Sequence, residues 1–262
     1  MPVLQGNNIR TYYEIHGQGQ PLVLIAGYTG DHNFWNLMLP QLASQFQVII
    51  FDNRGIGETT DKGEPFTLET MAADVISLID ALGLLKPHIL GQSMGGAIAQ
   101  IVARNYLDRI GKLILLNTVS RFNQRTIRTL ESLLRCRKEG VSFDLFMDLA
   151  MPWFLSNAYL SNEHNILLFK EVLKNSPIPQ TIEDQQRQLR ALATFNSTVW
   201  LGELNVPSLV IAAEEDIITL PGESEALARM LPNAAFMKVH GAHSSPLEQA
   251  QRVNELILKF CV

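Results

Sequence analysis

Ile89-Leu90-Gly91-Gln92-Ser93-Met94-Gly95-Gly96-Ala97 decides how this chain folds. Pro87-His88-Ile89-Leu90 leads in as the end of a buried strand, and Ala97 to Tyr106, rich in Ala, Ile and Val, reads as a helix. Between them lies Gly-x-Ser-x-Gly. A strand that turns straight into a helix bends sharply at the serine, into strained backbone angles and close contacts. Gly91 and Gly95 have no Cβ to clash there. The Ser93 hydroxyl is then held out at the sheet edge with a helix N-terminus behind it. The backbone N–H of Met94 and the positive end of that helix both favour an incoming negative charge. The motif also arises in glycine-rich loops; its setting between a strand pattern and a helix pattern is what makes it specific.

Upstream, Ile9 to Ile15 alternates as a strand, His16 to Pro21 is a turn, and Pro21 to Ala26 is a continuous apolar run typical of a strand buried on both faces. Two strands joined by a tight turn suggest an antiparallel start. The run ends in Gly27-Tyr28-Thr29-Gly30-Asp31, where glycines let the backbone approach a ligand. The Tyr28 N–H is the best second donor to an oxyanion beside that of Met94. Trp35 and Leu37 follow on a helical pattern running to about Phe46. Gln47 to Asp52 is another buried strand, after which Asp52 and Arg54 are expected to hold a tight crossover loop by hydrogen bonds. This loop lacks both the P-loop lysine and the dinucleotide glycine pattern. Thr67 starts a helix with an imperfect capping box, because Thr70 sits where Glu is usual. Met71, Val75, Leu78, Ile79 and Leu82 then recur at helical spacing up to Gly83.

Downstream, Lys112 to Asn117 is a further buried strand. Strand and helix in alternation imply a parallel sheet with helices on both faces. From 121 to 204 the pattern changes to amphipathic helical stretches over 123–138, 143–156, 161–175 and 180–195, punctuated by Pro152, Pro177 and Pro179. This is too long for a loop and reads as an inserted helical cap. The expected division is a core domain of residues 1–120 and 205–262 and a cap of 121–204. Met147, Met151, Trp153 and Phe154, with Gly27 and Trp35 from the core, are candidates to line a pocket beneath it; for each, packing in a core is the competing role. Pro207 to Ala212 resumes the sheet and ends in Glu214-Glu215-Asp216. Helix 223–230, strand 234–239 and helix 248–260 close the chain around His240-Gly241-Ala242-His243.

Composition bounds the function. The chain has 262 residues, 47% of them hydrophobic, enough for a sizeable core. A formal net charge of -5 gives no electrostatic case for nucleic acid. Cys136 and Cys261 are far apart and fit no metal-ligand spacing, which suggests a reducing compartment. The start of the sequence shows neither a basic stretch nor a long apolar run, and no segment reads as a membrane span, so a soluble cytoplasmic protein is expected.

Ser93 is a weak nucleophile at neutral pH and needs a base with a pKa near 7, which means histidine. The base in turn needs a carboxylate to orient it. His243 follows the last strand and is the candidate, with His240 as its rival. Asp216, Glu215 and Glu214 all lie at the C-terminal end of a strand, where the serine also emerges.

These pieces together resemble the α/β-hydrolase fold superfamily: Ile25-Ala26-Gly27-Tyr28, Asp52-Asn53-Arg54-Gly55-Ile56-Gly57, Gly91 to Gly96, Glu214-Glu215-Asp216 and Gly241-Ala242-His243, in the order serine, acid, histidine. The resemblance spans nearly the whole chain and is greatest to small esterases, 3-oxoadipate enol-lactonases and cofactor-free haloperoxidases. It implies a Ser93–His243–Asp216 triad, Asp216 matching the family's acid before an apolar pair and Pro221, and an oxyanion hole of the Tyr28 and Met94 N–H groups. It implies acyl transfer on a small to medium carboxylic ester or lactone without metal or organic cofactor. Alternatives are carbon–carbon bond hydrolysis or perhydrolysis by the same triad, and a non-catalytic ligand-binding protein of the same fold. Two departures stand out. Ala26 replaces the histidine common at the oxyanion turn, and Ile56 replaces the histidine common between the two glycines after the arginine.

Overall fold

The computed structural model describes residues 3–6, 8–174 and 180–262. Eight strands form one sheet: β1 (Val3–Gly6), β2 (Ile9–His16), β3 (Gln20–Ile25), β4 (Phe46–Phe51), β5 (His88–Gln92), β6 (Leu113–Leu116), β7 (Ser208–Ala213) and β8 (Ala234–Val239), in the order β1-β2-β4-β3-β5-β6-β7-β8. The pairs β1–β2 and β2–β4 are antiparallel; every pairing from β4–β3 through β7–β8 is parallel. The expected hairpin of the second and third strands does not form. β2 pairs with β4, and β3 is carried past it to lie parallel between β4 and β5. The Gly17–Gly19 turn therefore changes the strand's place in the sheet as well as its direction.

Alternation along each strand divides the core in two. Val23, Ile25, Ile49 and Ile89 face α2 (Leu68–Ala81) and α3 (Met94–Asn105). Leu22, Leu24, Val48, Ile50 and Leu90 face the other way, with Trp35, Met38, Leu42 of α1 (Leu39–Ala43), and Val253, Leu256 and Ile257 of α11 (Ala250–Cys261). The helical pattern expected to run on to Phe46 breaks into a turn of 3₁₀ helix at His32–Trp35 and the short α1, and Phe46 already opens β4. α2 starts with a capping box completed by hydroxyls: Thr70 N donates to Thr67 Oγ1 and Thr67 N to Thr70 Oγ1. The terminal helix is preceded by a separate turn, α10 (Ser245–Glu248).

Between β6 and β7 the chain forms α4 (Gln124–Lys138), α5 (Phe143–Phe154), α6 (Asn157–Leu160), α7 (Glu163–Lys174) and α8 (Ile182–Ala193); α9 (Pro221–Met230) then joins β7 to β8. Short polar side chains start these helices: Asn123, Ser142, Ser156 and Thr181 each accept a hydrogen bond from a backbone N–H of the first turn. Pro152 lies inside α5, while Pro177 and Pro179 fall outside the described residues. Ile127, Leu130, Leu134, Leu189 and Leu192 of α4 and α8 join the sheet's own core. Met147, Met151 and Leu155 form a separate small cluster. The two ends of this helical segment are stapled together by the Arg121–Asn196 bridge and by Ser197 N donating to Ser120 O at 2.8 Å. Among the described residues, no helix is long and apolar enough to cross a membrane.

Candidate active site

Ser93 ends β5 at φ 54°, ψ −117°, a backbone conformation that L residues avoid. The elbow tolerates no bulk. A Cβ on Gly91 would sit 2.2 Å from Gly95 O, and one on Gly95 2.0 Å from Ile25 O. Ser93 holds the N-cap place of α3, yet its hydroxyl does not turn back to cap the helix. The hydroxyl points to His243 instead, with Nε2 2.9 Å from Ser93 Oγ. His243 Nδ1 lies 2.8 Å from Asp216 Oδ2. With the proton on Nδ1 facing the carboxylate, Nε2 is the acceptor for the serine O–H. All three side chains are buried: Ser93 is 5% exposed, His243 6% and Asp216 1%.

Local turns orient Asp216 and His243. Asp216 follows β7, and its Oδ1 accepts from the N–H groups of Ile218 and Thr219, both at 2.8 Å. Thr219 Oγ1 donates to Asp216 Oδ2 at 2.7 Å. His243 follows β8, and its carbonyl is gripped by Asn117 Nδ2 at 2.9 Å and Gln92 Nε2 at 3.2 Å. The rival residues lie elsewhere. Glu214 pairs with the exposed His240 at 2.6 Å, and Glu215 accepts from Asn157 N at 2.9 Å.

Gly27 packs directly against Ser93; a Cβ there would lie 3.1 Å from Ser93 Cβ and 2.3 Å from Gln92 Oε1. Asn53 Nδ2 holds Ala26 O at 2.9 Å, and Thr29 N donates to Gln188 Oε1 of α8 at 3.2 Å. Among the described residues, the N–H groups of Tyr28 and Met94 have no hydrogen-bond partner. Burial pushes the Tyr28 phenol up, with Gln185 and Arg137 of the helical segment pulling against it. The crossover loop is held as expected. Asp52 accepts from His32 N at 2.7 Å, His32 Nδ1 at 2.8 Å and Glu58 N at 2.8 Å, while Arg54 pairs with Asp74 at 2.7 Å.

The expected pocket residues divide. The Phe154 ring lies 5.9 Å from the His243 ring, and Trp153 is half-buried beside it in sequence. Met147 and Met151 pack instead into the small cluster of α5, α6 and α7 with Leu155, Tyr159 and Phe169. Trp35 belongs to the core cluster on the α1–α11 face of the sheet. It is fully buried with Leu22, Leu24 and Met38, because the 3₁₀ turn aims it into the core on the α1–α11 face. Asn117, Thr219, Gln92 and Glu248 were not singled out from the sequence. Asn117 alone carried a signal, as a polar residue ending a buried strand. Among the described residues, no group of three or more His, Cys, Asp or Glu side chains is placed to hold a metal ion.

Residues 20–250 match the family described by the alpha/beta hydrolase fold. The chain belongs to the α/β-hydrolase family. Other α/β-hydrolases resemble it over their full length. RutD of Caulobacter segnis, named as a candidate carbamate hydrolase, is 30% identical over 257 residues, 95% of each chain. RutD of Azorhizobium caulinodans is 29% identical over 263 residues, covering 100% of this chain and 98% of its own. A thermophilic esterase from Thermogutta terrifontis superposes with a TM-score of 0.84 at 30% identity, over 96% of this chain and 93% of its own. The enol-lactonase of Burkholderia xenovorans LB400 shares the fold, with a TM-score of 0.87 at 22% identity over 99% of both chains. Fold and relatives together mark this α/β-hydrolase as a hydrolase by chemistry.

Proposed function

We propose that the protein is a serine hydrolase that cleaves a carboxylic ester or lactone of small to medium size. Ser93 is the nucleophile, His243 the general base and Asp216 its orienting carboxylate. The observation that carries this reading is the unbroken line Ser93 Oγ–His243 Nε2 at 2.9 Å and His243 Nδ1–Asp216 Oδ2 at 2.8 Å. Both contacts are within proton-transfer reach. Ser93 attacks the substrate carbonyl as His243 takes its proton, and Asp216 stabilises the imidazolium that forms. The tetrahedral oxyanion accepts from the N–H groups of Tyr28 and Met94. His243 then returns the proton to the leaving alcohol, and the same residue activates the water that releases the acyl group. Each oxyanion donor contributes about 10²–10³ in rate. Residues 121–204 act as the cap over this site, with Phe154 and Trp153 as its nearest lining; burial of Ser93 and His243 beneath it supports a water-poor chamber.

The full-length likeness to proteins named as carbamate hydrolases favours a second substrate class. A carbamate presents the same carbonyl to the same machinery. Hydrolysis of p-nitrophenyl esters of graded acyl length, beside a p-nitrophenyl carbamate, tests both readings with wild type and Ser93→Ala. Turnover that vanishes in the variant supports the nucleophile, and the preferred series names the class. Full activity in Ser93→Ala overturns the reading.

A further inference from the structure

The residue after His243 is held by the helical segment directly, and the residue before it through Glu248 of α10. Ser244 N donates to Phe154 O at 2.9 Å, directly across to the end of α5. Ala242 N donates to Glu248 Oε1 at 3.2 Å. The same Glu248 carboxylate accepts from Ser156 N at 3.2 Å and from the Ser156 hydroxyl, at the start of α6. The next backbone N–H, that of Asn157, donates to Glu215 at 2.9 Å, and Glu215 precedes Asp216. The loops carrying the acid and the base therefore each send one carboxylate to consecutive residues of the helical segment. Glu248 is partly buried, and Tyr159 of α6 is the titratable group facing it; burial first, and then the Glu248 charge, push that phenol up.

We propose that Glu248 is a positioning residue through which seating of the cap sets the place of His243. This rests on the reading of Ser93 and His243 as nucleophile and base. The backbone N–H groups on both sides of His243, those of Ala242 and Ser244, end on or run through residues 154–156, while Asn117 and Gln92 hold its carbonyl from the sheet. Ser93 is 5% exposed and His243 6%, and in this proposal movement of the cap admits the substrate. A shift that parts Ser156 from Glu248 also loosens Ala242, and a shift of Phe154 frees Ser244. The base is then in register with Ser93 only when the cap is down, which couples closure to the chemical step. Glu248 touches neither substrate nor the reacting atoms; it acts through Ala242.

The experiment is a double-mutant cycle of Glu248→Gln and Ser156→Ala in the full chain, read as kcat and KM on the best p-nitrophenyl substrate, with Ser93 labelling by a fluorophosphonate alongside. Glu248→Gln keeps the shape but turns an amide N–H₂ toward donors. A misplaced base costs about 10²-fold, so the expected result is a loss of kcat of about that size with KM little changed and slower labelling. Ser156→Ala removes the hydroxyl half of the same link from the cap side, leaving the Ser156 N–H bond, and serves if Glu248→Gln does not fold. Its loss is expected in kcat too, and the double variant is expected to be no worse than Glu248→Gln alone. Wild-type kcat in both single variants, or losses that multiply in the double variant, would overturn the coupling while leaving the triad standing. Wild type that neither turns over nor labels would overturn the triad reading, and this inference with it.

Discussion

Asn117 donates its side-chain amide to the backbone carbonyl of His243 at 2.9 Å, and accepts from the N–H of Ala213 at 3.0 Å. One fully buried side chain at the end of β6 thus spans from β7, which leads to Asp216, to the loop that carries His243. It also reaches Ser245 Oγ at 2.8 Å, and it holds φ 45° to do so, a conformation Asn tolerates better than most residues. Replacement by Ala leaves Ala213 N unsatisfied and His243 O with Gln92 Nε2 as its remaining side-chain donor. Asn117→Ala is expected to lose about 1–3 kcal/mol of stability per unsatisfied group and to lower kcat. Urea unfolding and steady-state kinetics read the two effects; unchanged values in both would deny Asn117 its role as a brace.

Asp216→Asn keeps the shape of the acid but favours the wrong tautomer of His243, because an amide N–H₂ then faces Nδ1. Loss of activity of about 10⁴-fold is expected with the fold retained. Glu215→Gln is expected to leave the triad geometry intact. If Glu215→Gln rather than Asp216→Asn abolishes turnover, the acid has been misassigned.

Thr219 offers a finer probe of the same carboxylate. Its hydroxyl donates to Asp216 Oδ2 at 2.7 Å and lies 3.3 Å from His243 Nδ1. Thr219→Val preserves the β-branched shape and removes only this donor. A fall in kcat of about tenfold is expected, matching one hydrogen bond to a charged group at about 1.5 kcal/mol. Thr219→Ser, which keeps the hydroxyl, is expected to recover most of it; kinetic parity of Val and Ser variants would count against the bond.

The sheet, the elbow and the histidine were legible from residue pattern, because each carries a local signature: a continuous apolar run, glycines flanking a serine, a polar loop after the last strand. Trp35 misled because a large aromatic after the oxyanion turn looks the same whether a 3₁₀ turn aims it at the site or into the core. The placing of β3 was also hidden. A tight turn specifies a reversal of the chain but not the neighbour, and the neighbour here is chosen by two parallel pairings made much later in the chain. Thr219 and Glu248 were illegible for a related reason, and Asn117 showed only that a polar residue ends a buried strand: each acts on residues 3 to 126 positions away, and none belongs to a motif.

Histidine titration gives a stability prediction. Burial alone lowers the pKa of His32, but its hydrogen bond and charge interaction with Asp52, then the charges of Asp31 and Glu14, raise it overall. A raised histidine stabilises fully below its unfolded value of about 6.5 and loses that contribution as pH climbs through the folded value. His88 has the opposite sign, depressed first by burial and then by Lys112, so it withdraws stability as pH falls. Comparing wild type with His32→Asn isolates the first effect. The gap in unfolding free energy is expected to be wider at pH 6 than at pH 9, by urea titration; an equal gap at both would remove the Asp52–His32 pair from the pH response.

Gly95→Ala puts a methyl 2.0 Å from the Ile25 carbonyl oxygen, a backbone atom with nowhere to move. Loss of soluble folded protein is expected, seen as absent cooperative melting by circular dichroism. A cooperative melt at the wild-type temperature would mean the elbow is looser than its geometry.

The staple at Arg121 and Asn196 makes everything between them an interchangeable cassette. The chain departs and returns through neighbouring residues, so β6 and β7 keep their register whatever the intervening length. Doubling the length of a closed loop adds only about 0.6 kcal/mol of entropy cost. Drift in that cassette is constrained on its underside, where Ile127, Leu130, Leu189 and Leu192 complete the sheet's core, at the Ser156–Asn157 seat, and at polar ties such as Gln188 to Arg54 O and Arg187 to Asp61. Outward positions such as Leu145 and Leu168 are exposed and carry no such constraint. One stretch of helices can therefore be replaced without touching Ser93, Asp216 or His243, which all lie outside it.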